Sequence, residues 1–296
     1  MSTPGASKAG SGRQTPAPEL MSLNTATVGK QWNLRQMIEA CARHDVRGIS
    51  PWRDKLAELD VKEAARLIRQ HELTVTGLCR GGMFPGASAA ERRAALDDNR
   101  RAVDDAATLQ AQCLVLVVGG IVAGTKDLPG ARRMVLDGIA ELLEYARASG
   151  VPLAIEPLHP MYCADRACVN TIDQALDICD VLEPRKDGTA PSGAIGVAVD
   201  AYHVWWDPNL AQAIARIGRE RLLGYHICDW LVPTKDLLLD RGMMGDGVID
   251  LPALRLMVEA QGYRGFHEVE IFSTQWWQRD PDEVMRTIKE RHQSCS

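Results

Sequence analysis

The chain has 296 residues, 46% of them hydrophobic and 25% charged, so it can bury a large core, which excludes disorder as its main state. Its formal net charge of −5 excludes the overall positive field that favours nucleic-acid binding. No apolar run reaches the roughly 18 to 20 residues of a membrane-spanning helix, and we expect a cytoplasmic protein without nucleic-acid or membrane partners.

The first segment differs in composition from the rest of the chain. Residues 1–19 are almost all Ser, Gly, Pro, Ala, Thr and Lys, which offer too little apolar surface to offset the entropy of ordering them. We therefore predict a flexible tail over residues 1–19 and one folded domain over residues 20–296.

From Leu20 onwards, short apolar, β-branched runs alternate with longer segments of helical period, which predicts alternating strands and helices. The predicted strands are 20–24, 46–50, 73–79, 113–118, 151–156, 195–200, 222–228 and 266–271. The predicted helices are 34–44, 61–71, 89–109, 130–148, 171–182, 210–217, 251–260 and 281–292. Helix-start signals such as Asp60, Ser88 and Pro281 precede or open several of the helices.

The alternation of predicted strands and helices indicates an α/β architecture. Eight strand-plus-helix units in about 275 residues fit a (β/α)8 TIM barrel, which usually takes about 250 residues. A doubly wound sheet would carry a Gly-rich phosphate turn after its first strand, whereas this chain reads Asn24-Thr25-Ala26-Thr27 there. The barrel prediction also predicts where function lies, because active sites of this fold are found at the carboxyl ends of the strands.

Cysteine spacing and three of the histidines do not indicate a site. The 8 Cys form no CxxC pair and most sit singly in apolar segments, which is typical of reduced, buried thiols rather than of a disulfide framework or zinc knuckle. His44, His71 and His292 lie in or at the ends of predicted helices, where we expect surface residues.

Potential metal ligands end four consecutive predicted strands. They are Glu156, Asp200, His226 and Glu270. An ionisable group inside an aliphatic run is paired or coordinated, because burying a lone charge is costly. Adjacent strand ends lie close together in a barrel, so we expect the four side chains to converge. Three carboxylates and one imidazole form an oxygen-rich donor set, which suits manganese, magnesium or cobalt. A zinc site would more typically be rich in thiolates.

These motifs resemble a known superfamily. They are Glu156-Pro-Leu, Asp200-x-x-His203, His226-x-x-Asp229 and Glu270. In this order they resemble the xylose-isomerase-like TIM barrel superfamily, which includes the sugar phosphate isomerase/epimerase family, over residues 20–292. The resemblance implies one divalent metal ion, commonly manganese, bound by the four predicted ligands. It also implies that Glu156 and Glu270 flank the substrate as acid and base.

The segment after Glu156 departs from the ketose epimerases of this superfamily. Those enzymes usually carry Asn, Arg and a further Glu there, whereas this chain reads Glu156-Pro-Leu-His159-Pro-Met-Tyr162. The sugar specificity therefore cannot be carried over. His159 is a candidate replacement, because an imidazole can exchange a proton near neutral pH. The predicted catalytic residues are thus Glu156, Glu270 and His159, with a hydrogen bond to a loop carbonyl as the alternative role for His159.

Further side chains after the strands suit a polyol pocket. The predicted substrate-binding residues are Arg80, His203, Asp229, Trp52, Trp205 and Trp230. Indole rings stack on sugar faces and exclude water from reactive intermediates. The alternatives are packing of the Trp residues between loops or at a subunit interface, and an internal ion pair for Arg80. The Gly-rich segment 241–247 is predicted to be a lid or a subunit contact.

These observations predict a divalent-metal-dependent sugar or keto-sugar isomerase or epimerase that works through an enediolate. Manganese is the first expectation, and magnesium or cobalt are alternatives. A lyase using the same enolate, either an inosose-type dehydratase or the catalytic subunit of a 3-keto-glycoside or C-glycoside deglycosylase, is the runner-up. An apurinic-site endonuclease and a metal-free scaffold are less favoured. The expected partners are a sugar or keto-glycoside substrate and a second copy of the chain, with a small second subunit as the alternative.

Overall fold

The computed structural model describes residues 15–184 and 191–296, and its centre is a parallel sheet of nine strand segments. The strands are β1 (Met21–Asn24), β2 (Gly48–Ser50), β3 (Thr74–Val75), β4 (Leu78–Gly82), β5 (Leu114–Val117), β6 (Leu153–Ile155), β7 (Ile195–Asp200), β8 (Leu222–Ile227), β9 (Asp229–Trp230), β10 (Arg241–Gly242) and β11 (His267–Val269). The central sheet has the order β3-β2-β1-β11-β8-β7-β6-β5-β4, while β9 and β10 pair separately and antiparallel.

The sheet is a nearly closed barrel, because its two outermost segments are neighbours in the chain. β3 pairs with β2 and β4 pairs with β5, and only Thr76 and Gly77 separate β3 from β4. A parallel bridge joins Cys79 of β4 to Trp52, which follows β2. The predicted strand 73–79 is therefore two shorter segments, one on each side of the closure.

Helices surround the barrel. They are α1 (Leu34–Arg43), α2 (Arg53–Leu56), α3 (Val61–Gln70), α4 (Ala89–Leu109), α5 (Leu128–Ala148), α6 (Ile172–Leu182), α7 (Ala201–Val204), α8 (Leu210–Arg221), α9 (Leu251–Ala260) and α10 (Pro281–Cys295). Asp60 and Ser88 cap α3 and α4 by accepting backbone N–H bonds, as their positions predicted. The TIM barrel prediction is confirmed.

A short segment before β1 belongs to the described residues. Residues 1–14 of the predicted tail are outside the described residues. Within 15–19, Pro16 is buried, and a short 3-10 helix spans Pro18–Leu20 directly before β1. This segment lies against the last helix, since the backbone entering β1 passes over the amino end of the barrel.

The core consists of the side chains between barrel and helices, with Leu23, Ile49, Leu114 and Ile155 among those fully buried. All eight cysteines lie in the described part of the chain and are free thiols. In the ranges 15–184 and 191–296, no helix combines the length and apolarity needed to cross a membrane.

The expectation for His292 was wrong. This residue is 1% exposed, as is His267, and the ring nitrogens Nδ1 of His267 and Nε2 of His292 lie 3.0 Å apart. His292 is buried because it lies on the face of α10 that packs against the outer face of β11, where it contacts His267. Burial lowers the pKa of His267 to about 3 and that of His292 to about 4, with repulsion from Arg255 adding to both effects.

This histidine pair predicts sensitivity to acid. Both groups are neutral in the folded protein and bind protons below pH 6.5 when unfolded, so their contribution to stability is present above pH 6.5 and is lost as the pH falls toward 4. A pKa that is lower by one in the folded than in the unfolded protein corresponds to about 1.4 kcal/mol. We expect His292→Gln to reduce by a few kcal/mol the acid-induced loss in the free energy of unfolding, measured by urea titration from pH 7 to 4. The control is His71→Gln, and equal pH profiles for the His292 variant and wild type would contradict the prediction.

Candidate metal centre at the barrel mouth

The structure brings the four predicted ligands together. Glu156 follows β6, Asp200 ends β7, His226 lies in β8 and Glu270 follows β11, and these strands are neighbours in the sheet. One ligand atom from each residue lies within 4.8 Å of the others. All four side chains are buried, so the cluster is closed to bulk water on most sides.

Two atoms of this cluster indicate that it suits a cation. Glu156 Oε1 and His226 Nδ1 lie 3.0 Å apart as an ion pair, and neither atom has a further hydrogen-bond partner among the described residues. Buried polar atoms usually make several hydrogen bonds, so a pair whose atoms contact only each other keeps lone pairs for a further ligand. A divalent cation would satisfy both, and a donor set of three carboxylates and one imidazole fits it chemically.

The charges of the cluster change its pKa values strongly. Burial raises the pKa of Glu270 to about 8, with repulsion from Glu156 adding to the effect and Arg241 opposing it. Burial also acts to lower the pKa of His226, but the carboxylates of Glu268, Glu156 and Glu270 outweigh burial and hold this pKa well above its usual value. The protein alone therefore carries an excess of negative charge here.

Arg241 contributes a second positive charge that the sequence analysis did not assign to the site. Its Nη1 lies 3.0 Å from Asp200 Oδ2 and 3.1 Å from Glu270 Oε2, and its Nη2 lies 3.1 Å from His203 Nε2. The guanidinium stacks over the ring of Tyr202, with 4.4 Å to the ring centroid. The predicted lid or subunit contact at 241–247 is instead packed inward at its start, since Arg241, Gly242, Met243 and Met244 are buried.

A second polar layer lies inside the barrel on the far side of His226. Glu268 Oε1 lies 3.5 Å from His226 Nε2, so the imidazole stands between Glu156 on one side and Glu268 on the other. Glu268 accepts hydrogen bonds from Asn24 Nδ2 (2.7 Å) and Thr76 Oγ1 (2.8 Å). A carboxylate at the second nitrogen fixes the tautomer and orientation of a metal-binding imidazole.

This arrangement predicts that Glu268 supports metal binding without touching the ion. We expect Glu268→Gln to weaken manganese binding about 10- to 100-fold, because the imidazole loses its charged partner. Titration calorimetry with MnCl2 measures the change, and Glu283→Gln, on the surface of α10, is the control. Unaltered manganese affinity in the Glu268 variant would show that this carboxylate does not support metal binding and only accepts hydrogen bonds inside the barrel.

Aromatic residues form the walls of the mouth. Trp52 Nε1 donates to Glu270 Oε1 (3.2 Å), which places this indole against the ligand cluster. Trp230 stacks on Tyr202 with 4.7 Å between ring centroids, and Trp205 packs against Trp230 at 5.6 Å. The buried Nε1 of Trp205 has no hydrogen-bond partner in the described chain. The predicted Trp residues are thus at the mouth, and Trp205 offers an unused donor there.

His159 and His203 lie side by side next to this wall. His203 is fully buried, its Nδ1 faces the backbone N–H of His159 (3.3 Å), and its Nε2 lies 3.6 Å from Asp200 Oδ2. His159 stacks on Trp230 at 5.1 Å, and its Nδ1 accepts the backbone N–H of Met161 (3.2 Å). Burial lowers the pKa of His159. Its Nε2 is left for a ligand, while Nδ1 holds the loop.

The two remaining predicted substrate residues lie in different surroundings. The carboxylate of Asp229 accepts the backbone N–H groups of Trp230, Gly245, Gly247 and Ile249 at 2.8 to 3.0 Å. Both of its oxygens are thus used to hold the Gly-rich loop, and the structure supports a loop-shaping role. Arg80 extends from β4 into a cavity beside Trp52, and no described carboxylate forms an ion pair with it.

Sequence reasoning missed Arg241, Glu268 and Asn24. A signal existed for Glu268, because the alternation Glu268-Val269-Glu270 places both glutamates on the inner face of one strand. Asn24 ends β1 and donates to both glutamates, at 2.7 and 2.8 Å. Arg241 offered no comparable signal, since it begins the two-residue strand β10, which lies outside the barrel sheet.

Comparison with known proteins agrees with this geometry. Residues 38–291 match the family model described as xylose isomerase-like TIM barrel. The chain belongs to this family. The resemblance that the strand-end motifs indicated is therefore confirmed.

Two solved structures and one curated relative are similar to this family member. The protein SMc04130 from Sinorhizobium meliloti 1021 is 56% identical, with a TM-score of 0.90 and coverage of 94% of this chain and 99% of that one. A structure of the IOLI protein with a bound zinc atom shares the fold, at 21% identity, a TM-score of 0.76 and coverage of 92% and 95%. An inosose isomerase from Bacillus licheniformis is 27% identical over 158 residues, 51% of each chain. The chain thus spans about half the length of the curated relative it matches.

Proposed function

We propose that this protein is a divalent-metal-dependent isomerase or epimerase of keto-sugars or cyclic keto-polyols. The observation that carries the proposal is the buried cluster of Glu156, Asp200, His226 and Glu270, in which the facing atoms of Glu156 and His226 have no partner but each other among the described residues. The similarity to an inosose isomerase supports a polyol carrying a carbonyl group as the substrate class.

A divalent ion held by these four residues would polarise the carbonyl and the neighbouring hydroxyl oxygen of a keto-sugar. It would thereby acidify the C–H bond of the carbon next to the carbonyl. The family resemblance implies manganese, and the zinc in the IOLI structure makes zinc the first alternative to test. Reconstitution of the metal-free protein with manganese, zinc, magnesium and cobalt, followed by activity measurement, decides among them.

The two glutamates of the cluster have different proposed roles in proton transfer. Within the described ranges Glu156 Oε1 contacts only His226 Nδ1, whereas both oxygens of Glu270 are held by several donors, so Glu156 is the carboxylate better suited to accept a proton from the substrate carbon. Both oxygens of Glu270 accept hydrogen bonds, Oε1 from Asn24 and Trp52 and Oε2 from Arg241, which holds this carboxylate in one orientation. A proton removed on one side and returned on the other gives epimerisation, and its return at the neighbouring carbon gives isomerisation.

Solvent deuterium distinguishes the outcomes of a shared enediolate. We expect the metal-loaded protein in D2O to incorporate one deuterium into a keto-sugar or inosose substrate, at the inverted carbon for an epimerase or at the former carbonyl carbon for an isomerase. A lyase would instead release a product that has lost water or an aglycone. NMR of a panel of keto-sugars, inososes and keto-glycosides reads all three results, and absence of exchange with every member would refute the proposal.

His159 is proposed as an additional proton-transfer group, and its replacement tests that role. We expect His159→Asn to retain the metal and to lower turnover by about 100-fold or more, the scale typical of losing a general acid or base. Asn can replace Nδ1 as the acceptor for Met161 N–H, so the loop is preserved. If this variant has the turnover and pH profile of wild type, His159 does not transfer a proton, and Glu156, Glu270 or His203 must do so.

A further inference from the structure

A loop at the barrel mouth reaches back over the strands that precede it. It comprises residues 231–240, which join β9 to β10 just after β8. The backbone carbonyl of Leu237 in this loop accepts two hydroxyl groups, that of Tyr162 at 2.7 Å and that of Tyr202 at 2.9 Å. Tyr202 lies in α7, directly after β7, and Tyr162 lies in the connection after β6. The loop therefore extends from β8 across the ends of β7 and β6.

The second half of the same loop is attached on the opposite side. The carbonyl of Leu239 accepts the backbone N–H of Thr274 at 2.9 Å, and Asp240 forms an antiparallel bridge with Ser273. Both partners follow β11. The loop is thus bonded to the chain beyond each of the strands β6, β7 and β11 and itself follows β8, and these are the four strands that position the metal ligands.

The cluster under this loop is enclosed, whereas the loop itself is not. The four ligands are at most 6% exposed, which leaves little of their surface for a sugar to contact in this conformation. No residue of the loop is buried, and Val232 and Leu237 are 70% and 46% exposed. A segment with few buried contacts can open at low cost in free energy while the barrel stays folded.

The loop also has internal bonds that keep its shape. The carboxylate of Asp236 accepts the backbone N–H groups of Leu238 and Leu239, both at 2.8 Å, and that of Asp240 accepts the N–H of Lys235 at 2.7 Å. Such side-chain-to-backbone bonds stabilise a turn without contacts to the rest of the protein. At its two ends the loop is held by the pairing of β9 with β10. These bonds favour movement of the loop as one unit.

The two tyrosines are fixed by their surroundings. The ring of Tyr202 is fully buried between Trp230, at 4.7 Å, and the guanidinium of Arg241, at 4.4 Å. Tyr162 and Tyr202 also pack edge-on against His203, at 5.8 and 5.5 Å. Their hydroxyl groups therefore meet the Leu237 carbonyl from rigid positions, and a carbonyl oxygen has two lone pairs to accept both.

We propose that residues 231–240 form a lid over the metal cluster, which Tyr162 and Tyr202 hold closed through the Leu237 carbonyl and which opens to admit the metal and the substrate. The inference rests on the proposed function, because the lid would enclose the keto-sugar at the metal and exclude water from its reactive intermediate. The two tyrosines act as positioning residues for the lid. The lid thus directly precedes the segment 241–247, which the sequence analysis had considered for this role.

Hydrogen exchange tests the lid without metal or substrate. We expect Tyr162→Phe and Tyr202→Phe each to speed exchange about threefold to tenfold in peptides covering residues 231–241 and 272–276, because each loses one hydrogen bond of the closed state. The double variant should exceed either single variant. Mass spectrometry on the full chain reads the change, and peptides from α9 and α10 should match wild type. Tyr145→Phe is the matched control, since its hydroxyl donates to Asp104 at 2.8 Å on the outer helices.

Manganese kinetics test whether the lid covers the cluster. A looser lid raises the open fraction with and without metal, so the association and dissociation rates should rise by the same factor and Kd should stay unchanged. Stopped-flow release into excess EDTA gives the dissociation rate, and calorimetry gives Kd. We expect release about threefold to tenfold faster in both single variants and wild-type release in Tyr145→Phe.

The outcomes separate the lid from the proposed function. Wild-type hydrogen exchange in both tyrosine variants overturns the lid whatever the metal does. Faster exchange with unchanged manganese release shows that the loop opens away from the cluster and also overturns it. A weaker Kd without faster association assigns the tyrosines to the ligand set through Arg241 and overturns it as well. If manganese does not bind the wild-type protein, the proposed function fails, and hydrogen exchange alone decides whether the loop opens as a lid.

Discussion

Replacement of Asp200 by Asn is expected to abolish metal-dependent activity and to weaken manganese binding by at least about 100-fold, more than the loss of a supporting residue around the metal would cause. Asp200 is fully buried, and its carboxylate belongs to the ligand cluster. The amide retains an acceptor for Tyr202 N–H, which Asp200 Oδ1 binds at 2.8 Å, so the start of α7 is preserved. Elemental analysis and manganese calorimetry on the purified variant measure the loss.

Asp207→Asn is the matched control for this experiment. Asp207 also accepts a backbone hydrogen bond, from Asn209 N–H at 2.8 Å, but it lies outside the cluster. We expect wild-type metal content and turnover in this control. Full metal content in the Asp200 variant would remove this residue from the ligand set, and a circular dichroism spectrum matching wild type would show that the fold had survived.

Replacement of Glu270 by Gln is expected to lower kcat/KM by about a thousandfold, a value within the range typical of losing a general acid or base. The amide cannot accept a proton, and it also fits its neighbours poorly. Asn24, Trp52 and Arg241 all donate to Glu270, so the NH2 group of Gln must face one of these donors. We therefore expect a loss of about 1 to 3 kcal/mol in the free energy of unfolding as well.

The comparison of metal binding with turnover assigns the role of Glu270. Manganese affinity should fall by only about tenfold, because the amide oxygen remains a weak ligand. Turnover at saturating manganese should stay far below wild type if Glu270 moves or directs a proton. Recovery of full turnover at saturating manganese would show that Glu270 serves as a metal ligand alone.

The fold could be predicted from the sequence because its elements are set by local periodicity. Helices α4 and α9 have the predicted bounds, 89–109 and 251–260, since an N-terminal cap at Ser88 and one at Asp250 define their starts. The predicted strand 73–79 is divided because the barrel closes within it. Closure is a contact between Trp52, which follows β2, and Cys79 of β4, and no local pattern encodes this contact.

The metal cluster could be predicted for a related reason. Each of its four residues ends a strand in a run of apolar residues, and parallel strands carry such ends to one face of the barrel. The repeat alone therefore implied that Glu156, Asp200, His226 and Glu270 converge. Their adjacency needed only the order of the strands, which follows the chain from β4 to β8 and continues with β11.

The sequence by itself determined the barrel, the face that carries the site and the four candidate ligands, because each of these follows from spacing along the chain. The tertiary structure decided which further side chains surround them. Arg241 reaches the cluster from β10, outside the barrel sheet, and both oxygens of Asp229 accept backbone N–H groups. Arg80 forms no ion pair among the described residues. The physical reason is that hydrogen bonds and ion pairs join atoms far apart in sequence, so whether a polar residue is satisfied or available to a ligand depends on packing rather than on period.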